Sequence, residues 1–120
     1  MKAAGDLLLC ADHDNSLSGS ALRFCVDGEA SAEKMRIDEN GKVGIGTTTI
    51  GNKLQVHEAS SNASFAGFSN DTTGSSSSDG LIVGVDSDEN GVLYHYENKA
   101  IRFATNNTER MRIDSSGNIA

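Results

Sequence analysis

The chain has 120 residues, a formal net charge of −7 and a pI near 4.7. Nucleic acid is an unexpected partner for so acidic a chain, because affinity for phosphate requires clustered Lys and Arg. Apolar runs stay far below the roughly 18 residues of a membrane helix, and the run at 7–10 is too short for a secretory signal. With aromatic residues at only 5%, a private core would be thin, so identical neighbours are expected to supply apolar surface.

A near-repeat organises the chain. The segment MRIDENGKVGIGT at 35–47 returns as MRIDSSGNIA at 111–120, and ALRF at 21–24 is similar to AIRF at 100–103. The offset between the copies changes only where polar turn residues lie, so insertions are expected in loops between strands.

Three regions follow from this repeat. We expect a first, partial β-repeat at 1–50, connecting strands with a Ser/Thr/Gly-rich loop at 51–80, and a second β-repeat, truncated at its end, at 81–120.

At the N-terminal end, residues 7–12 and 21–27 are predicted to form a hairpin with its turn near Leu17 and Ser18. In such a hairpin Cys10 and Cys25 face each other. A disulfide and two buried free thiols both fit this placement, and free thiols acting as small hydrophobes are favoured. Two cysteines do not fix the redox compartment.

Alternation of apolar and polar residues predicts an all-β chain. Sustained helical spacing is missing, whereas alternation is clear in four segments. These are 22–26, 34–37, 53–57 and 101–103, with shorter strands predicted at 65–68, 81–85 and 92–96.

Two turns repeat between the strands. Asp38-Glu39-Asn40-Gly41-Lys42 and Asp114-Ser115-Ser116-Gly117-Asn118 both have glycine in fourth place. This pattern is typical of a type I turn followed by a left-handed residue, so the flanking strands are expected to pair antiparallel. Asp38 and Asp114 are therefore interpreted as turn residues, not as catalytic groups.

The segment Val43-Gly44-Ile45-Gly46-Thr47 alternates branched residues with glycine. One face of this strand then has no side chain and admits close backbone approach, in a symmetric fibre from another chain. After it, residues 58–80 are predicted to be a linker or mobile surface loop, with a binding loop as the alternative.

One motif matches a calcium loop. Asp86, Asp88 and Asn90, followed by Gly91 and Glu97, have the spacing of the loop that supplies hard oxygen ligands. The flanking segments read as strands where that loop needs helices. A solvated acidic hairpin turn is therefore favoured over calcium binding.

Other chemical groups give no ligand or catalytic pattern. His13, His57 and His95 are scattered without ligand spacing, so a metal site would need three copies of one histidine around a three-fold axis. No nucleophile, carboxylate pair or cofactor motif stands out, so we expect no enzyme activity and assign no catalytic, cofactor or metal residues. Tyr94 and Tyr96 form an aromatic face for which packing is favoured over stacking on a sugar.

Three N-x-[ST] matches begin at Asn62, Asn70 and Asn106. They matter only in a eukaryotic secretory setting, which the N-terminus does not support.

The phrase IRFATNNTERMRIDSSGN at 101–118 resembles the repeat of bacteriophage tail fibre proteins, where it continues into VGIGT as at 43–47. KLQV at 53–56 resembles the strand that commonly follows, and LIV at 81–83 with YHYEN at 94–98 resembles the strands before it. The phrase also occurs in large bacterial surface proteins. Ala120 stands where the family has glycine and nothing resembles a receptor-binding tip, so receptor-binding residues are not carried over.

The resemblance implies repeated antiparallel β-meander units in an elongated, intertwined homotrimer. It implies a structural virion protein, a shaft or short-fibre segment that contacts other tail or baseplate proteins and a host surface glycan or protein. The apolar faces expected to be buried within and between chains contain Leu22, Phe24, Met35, Ile37, Val43, Ile45, Ile101, Phe103, Met111 and Ile113. The alternatives are a glycan-degrading tailspike module and a calcium-stabilised adhesin module on a bacterial surface.

Overall fold

A computed structural model describes residues 18–26 and 33–120, in which nine strands and no helix are found. The all-β prediction is confirmed for these residues, and none of them belongs to a helix able to cross a membrane. The strands are β1 (Ala21–Cys25), β2 (Glu33–Asp38), β3 (Val43–Ile45), β4 (Leu54–Val56), β5 (Ser64–Phe68), β6 (Leu81–Val85), β7 (Gly91–His95), β8 (Ile101–Thr105) and β9 (Thr108–Ile113).

The chain divides into two compact units, Met1–Ser64 and Phe65–Ala120. The first contains a sheet of order β1-β2-β3-β4, and the second contains a sheet β5-β6-β7 and the pair β8-β9. The region 51–80, predicted to connect the two repeats, is therefore divided between sheets: β4 belongs to the sheet β1-β2-β3-β4, and β5 belongs to the sheet β5-β6-β7. The predicted strand at 7–12, together with Cys10, His13 and Leu17, lies outside the described residues.

The hairpins β1-β2 and β8-β9 have the same strand register. Leu22 pairs with Ile37 as Ile101 pairs with Ile113, and each hairpin has a pairing irregularity after its phenylalanine. Phe24 likewise pairs with Met35 as Phe103 pairs with Met111. The equivalence inferred from the sequence thus extends to individual cross-strand partners, which are the units of sheet stabilisation.

The two hairpins differ at their tips. Asn106 and Asn107 have φ values of 47° and 55° between the paired Thr105 and Thr108, which matches a two-residue type I′ turn. Seven residues separate Phe103 from Met111, whereas ten separate Phe24 from Met35. The change in repeat offset therefore falls between strands, as predicted.

The register of the four-stranded sheet places its apolar side chains on one face. Residues paired across neighbouring strands point to the same side of a sheet, and successive residues alternate. The resulting face, called here the apolar face, contains Leu22, Phe24, Met35, Ile37, Val43, Ile45, Leu54 and Val56. The opposite face contains Arg23, Arg36, Gly44 and Gln55.

Strands β3 and β4 pair in parallel, which departs from the predicted antiparallel meander. The chain between them passes over the face that contains Arg23, Arg36, Gly44 and Gln55, called here the polar face. A Cβ atom on Gly44 would lie 2.7 Å from the Thr47 carbonyl oxygen and 2.9 Å from Ile50 Cδ1. The bare strand face expected to admit another chain is thus covered by the chain's own residues 47–50.

The same five-residue turn closes three hairpins. In the first, Asp38 Oδ1 accepts hydrogen bonds from the N–H groups of Asn40 (2.9 Å) and Lys42 (2.8 Å). The turn at 114–118 repeats both bonds through Asp114, and Gly41 and Gly117 have φ values of 67° and 84°. The predicted left-handed glycine is confirmed at both places, and its N–H donates to the carbonyl oxygen of the aspartate that begins the turn.

The Ser/Thr/Gly-rich loop between β5 and β6 has its own hydrogen bonds. Asn70 Oδ1 accepts from the N–H groups of Thr72 and Thr73, and the Gly74 N–H donates to the Asn70 carbonyl oxygen. Farther along, the Ser76 N–H donates to Asp79 Oδ2 at 2.7 Å. Side-chain caps of this kind replace strand pairing as partners for the backbone.

Replacing Gly44 by Ala is expected to lower the free energy of unfolding by about 1–3 kcal/mol, the usual cost of overpacking. The added methyl would meet a backbone oxygen and the Ile50 side chain. Gly51→Ala is the matched control, because its Cβ would approach only Gln55 Oε1, at 3.9 Å. Urea unfolding of both variants checks this, and equal midpoints would contradict it.

The third turn of this kind, at 86–90 between β6 and β7, has Glu89 in the left-handed position, with φ of 67°. Because this conformation costs a non-glycine residue about 1 kcal/mol or more, Glu89→Gly is expected to stabilise the protein by about 1 kcal/mol. The converse change, Gly117→Glu, should destabilise it by a similar amount. Thermal unfolding measures both, and a shift of the same sign in the two variants would refute the account.

Candidate functional site

The calcium-like motif folds as a hairpin turn between β6 and β7. Asp86 Oδ1 accepts hydrogen bonds from the N–H groups of Asp88 and Asn90, both at 2.9 Å. The Asn90 side-chain amide donates to Asp86 Oδ2 at 3.1 Å. These bonds occupy the carboxylate that would be the first calcium ligand, and they lower the pKa of Asp86, chiefly through the Asn90 backbone N–H.

Glu97, the last residue of the motif, lies at the other end of the same hairpin. Leu81 pairs with His95 there, whereas Val85 pairs with Gly91 beside the turn. Glu97 Oε1 accepts a hydrogen bond from the Gly80 N–H at 3.1 Å and so holds the start of β6. The geometry therefore matches the favoured acidic hairpin turn, and among the described residues no three His, Cys, Asp or Glu side chains are grouped as metal ligands.

An Arg–Glu pair lies on the polar face of each equivalent hairpin. Arg36 donates to both carboxylate oxygens of Glu33, from Nε at 2.5 Å and from Nη2 at 2.8 Å. Glu109 and Arg112 form the same Nε contact. Arg23 and Arg102, which pair with Arg36 and Arg112 across the strands, each lie 3.9 Å from the corresponding glutamate.

The two clusters differ in exposure. The Glu33 side chain is 7% exposed and that of Glu109 is 30% exposed. In both, the arginine hydrogen bond lowers the pKa of the glutamate, and the glutamate raises the pKa of its arginine. Each cluster therefore keeps its glutamate ionised beside two arginines, which suits an orienting role better than a proton-transferring one.

Of the histidines in the described part of the chain, His57 belongs to the first unit and His95 to the second. His57 follows β4, and its N–H donates to the Ile45 carbonyl oxygen at 3.0 Å. His95 is half-buried at the end of β7, and its Nδ1 atom is buried without a hydrogen-bond partner.

An open cleft of about 500 Å³ lies beside His95 within the second unit. Apolar and charged groups from β6, β7 and the hairpin β8-β9 line it. The lining residues are Leu81, His95, Ala100, Ile101, Arg102, Ala104, Asn107 and Glu109. The cleft thus joins apolar walls to one of the two Arg–Glu clusters, although no sequence motif pointed to it.

Tyr94 and Tyr96 form a tilted aromatic pair. Their ring centroids are 4.8 Å apart and the ring planes meet at 57°. Both side chains are exposed, and the tilt matches the edge-to-face preference of aromatic pairs. The two rings therefore pack on each other and do not form one flat platform.

Many large apolar side chains are exposed on the described residues, in which no hydrophobic residue is buried. Large apolar side chains between 36% and 73% exposed occur in both units, among them Phe24, Leu54, Phe68 and Ile119. Cys25 is exposed too, at the end of β1, so the expectation of a buried thiol is wrong at this position. Cys10 lies outside the described residues, so its pairing with Cys25 stays a prediction. The apolar side chains that the described residues leave exposed are therefore one candidate interaction surface.

No protein-family model, curated protein or solved structure matches this chain. A function therefore has to be inferred from the chain's own residues and geometry.

Acid is expected to weaken the turns at Asp86 and Asp114. Hydrogen bonds from Asn90 and from Asn118 hold the pKa of these carboxyls below the ordinary value, which is about 3.9. The unfolded chain then binds more protons near that pH, so the stabilisation is present above about pH 4 and is lost as pH falls through the folded-state pKa values. Urea midpoints measured down to about pH 2 at constant protein concentration check this.

Asp114→Asn is the control for this pH dependence, because its oxygen can still accept the backbone N–H groups but does not titrate. The variant should show a smaller loss of stability on acidification than the natural chain. An identical pH profile for the two proteins would contradict the role of Asp114.

Proposed function

We propose that the chain is a segment of a bacteriophage tail fibre, a structural virion protein that supports attachment to the host cell as part of a homotrimer. Its position would be in a shaft or a short fibre, linked to other tail or baseplate proteins. The proposal starts from the resemblance of 101–118 to tail fibre repeats and from the VGIGT phrase at 43–47.

The observation that carries the proposal is the equivalence of hairpins β1-β2 and β8-β9. They share their cross-strand partners, the position of the pairing irregularity, the Arg–Glu cluster and the following Asp turn. Repetition of one supersecondary unit along a chain suits a protein whose task is length and rigidity.

The start of the third strand is also repeated, as an isolated bridge in the second copy. Ile37 pairs with Val43 in the first copy, and Ile113 forms an antiparallel bridge with Ile119 in the second. The Arg112 N–H donates to the Ala120 carbonyl oxygen at 2.8 Å, and the Ala120 N–H donates back at 3.0 Å. A shaft made of such units would present the same faces at regular intervals.

Two other classes make different demands on the chain. A glycan-degrading tailspike module needs two carboxylates facing one groove, about 5–10 Å apart, whereas Glu33, Glu109 and Asp86 are held by arginines or by a turn. A calcium-stabilised adhesin needs Asp86 and Glu97 at one ion, whereas they lie at opposite ends of β6-β7. The fibre proposal is favoured on these grounds.

Immunogold electron microscopy tests the proposal. Antibodies raised against the purified chain should label tail appendages of the phage particles that encode it, and not their heads. Adsorbing the antibodies with the purified chain beforehand should remove the label.

Gold on bacterial surfaces but not on particles would overturn the fibre proposal in favour of the adhesin. Release of new reducing ends from capsular polysaccharide by the purified chain would favour the tailspike module. A fibre segment should bind without changing the length of the polysaccharide.

A further inference from the structure

A second open cleft, of about 370 Å³, lies in the second unit where the sheet β5-β6-β7 meets the Ser/Thr/Gly-rich loop. The strands supply apolar residues to its lining, and the loop supplies serines at 75–77 and the carboxylate of Asp79. We call it the serine cleft. Its volume falls within the range of small-molecule sites, which runs from about 300 to 1,000 Å³.

The strand side of the serine cleft is apolar and accessible. Phe65 and Gly67 lie on one face of β5, because side chains alternate along a strand. A Cβ atom on Gly67 would lie 3.9 Å from Ile82 Cγ2, so Ile82 belongs to the same face. Phe65 is 36% exposed, and Phe68, at the end of β5, is 63% exposed. A ligand in the cleft can therefore reach an aromatic ring.

The loop side of the serine cleft is rich in hydroxyl groups. Ser75, Ser76 and Ser77 are all exposed. Among the described residues, only Ser76 of these three uses its Oγ atom in a hydrogen bond, which it accepts from the Ser78 N–H at 3.3 Å. Because a serine hydroxyl can both donate and accept, this side offers free partners to a ligand that carries several hydroxyl groups.

Hydrogen bonds within the loop fix the shape of the serine cleft. The Ser76 N–H donates to Asp79 Oδ2 at 2.7 Å, and the Asp79 N–H donates to the Ser76 carbonyl oxygen at 3.3 Å. Where the loop ends, Gly80 packs so closely on β5 that a Cβ atom there would collide with the Phe68 carbonyl oxygen. The serines are thus positioned before a ligand arrives, which lowers the entropic cost of binding.

Charge restricts the class of ligand. The lining of the serine cleft contains Asp79 and no Lys or Arg, whereas the cleft beside His95 contains Arg102 and Glu109. A carboxylate accepts hydrogen bonds and repels anions. Asp79 Oδ1 accepts no hydrogen bond from the described part of the chain, so it is available to a hydroxyl donor. The ligand is therefore expected to be uncharged and to carry hydroxyl groups.

We propose that the serine cleft binds a neutral saccharide, with a sugar ring against Phe65 and sugar hydroxyls on the serines and Asp79. The C–H groups of a sugar ring suit the negative face of an aromatic ring, and its hydroxyls donate and accept as serine hydroxyls do. A peptide added to the open edge of β5 would instead bind through its backbone and leave the serines without partners.

This inference rests on the proposed function and deepens it, because it selects a neutral glycan from the host surface molecules that the fibre would contact. The alternative of a binding loop within 58–80 also gains a chemical role in this way.

Titration of the purified full chain with neutral oligosaccharides of glucose, mannose and galactose, followed by calorimetry and saturation-transfer NMR, tests the site. Phe65→Ala should weaken binding about tenfold, because the ring contact is lost. Phe103→Ala is the matched control, since Phe103 is 39% exposed and lies in β8, outside the serine cleft. The control should keep its affinity. Equal affinities for the two variants, or no binding of any of these oligosaccharides to the natural chain, would overturn the proposal.

Two neighbouring serines test the loop side with little risk to folding, because both are exposed. Ser77 lines the serine cleft and Ser78 does not. Ser77→Ala is expected to weaken binding about threefold to tenfold, as loss of one hydrogen bond would, and Ser78→Ala is expected to leave it unchanged. Equal or reversed effects would contradict the assignment.

Oligogalacturonic acid provides the charged counterpart. It should bind more weakly than neutral galactose oligosaccharides, because Asp79 repels it, and a preference for the acidic sugar would overturn the proposal. Gold labelling of virions reads location, whereas these titrations read binding. Labelled tail appendages without saccharide binding would refute the serine cleft alone, and saccharide binding without labelled particles would refute the fibre proposal alone.

Discussion

A single carboxylate oxygen that accepts two backbone N–H groups governs the architecture of each unit. Asp38, Asp86 and Asp114 each fix a five-residue turn in this way, and the turn determines which residues of the following strand oppose those before it. Because side chains alternate along a strand, a slip of one residue would exchange the two faces. The separation of an apolar face from a charged face therefore depends on these turns.

The charged face has a local role. Bidentate binding between Arg36 and Glu33 fixes both side chains in one geometry, although exposed ion pairs usually add less than about 1 kcal/mol to stability. The second cluster, at Glu109, is more exposed than the first, so the same residues serve in two environments. In both clusters the arginine and the glutamate hold each other's side chains in one orientation on the same face of the hairpin. The opposite face therefore stays apolar.

Local chemistry made most strands and two of the turns predictable from the sequence. Alternation located β1, β2 and β8, and glycine in fourth place identified the turns at Gly41 and Gly117. At the third turn Glu89 takes the left-handed position, which a residue with a side chain does not favour. Because no glycine stands in fourth place there, the sequence did not indicate this conformation. At 86–90 the predicted turn between two strands is confirmed, because the alternation of the flanking segments indicated strands where the calcium motif needs helices.

Long-range contacts were less accessible to sequence reasoning. The parallel pairing of β3 with β4 and the cover of Gly44 by Ile50 depend on how the intervening chain crosses the sheet. The cleft beside His95 likewise depends on the placement of two neighbouring hairpins in the second unit. Periodicity reports which side of a strand is apolar, but it does not report what lies against that side.

The hairpin tips have a consequence for how such a chain can change. Asn106 and Asn107 close one hairpin with two residues, while its counterpart uses a longer connection and keeps the same partners below. Length at the tip is therefore uncoupled from register in the strands. New peptide segments can be accepted there as surface decoration without disturbing the scaffold, which makes the tip a natural point of diversification and a practical site for displaying foreign sequences.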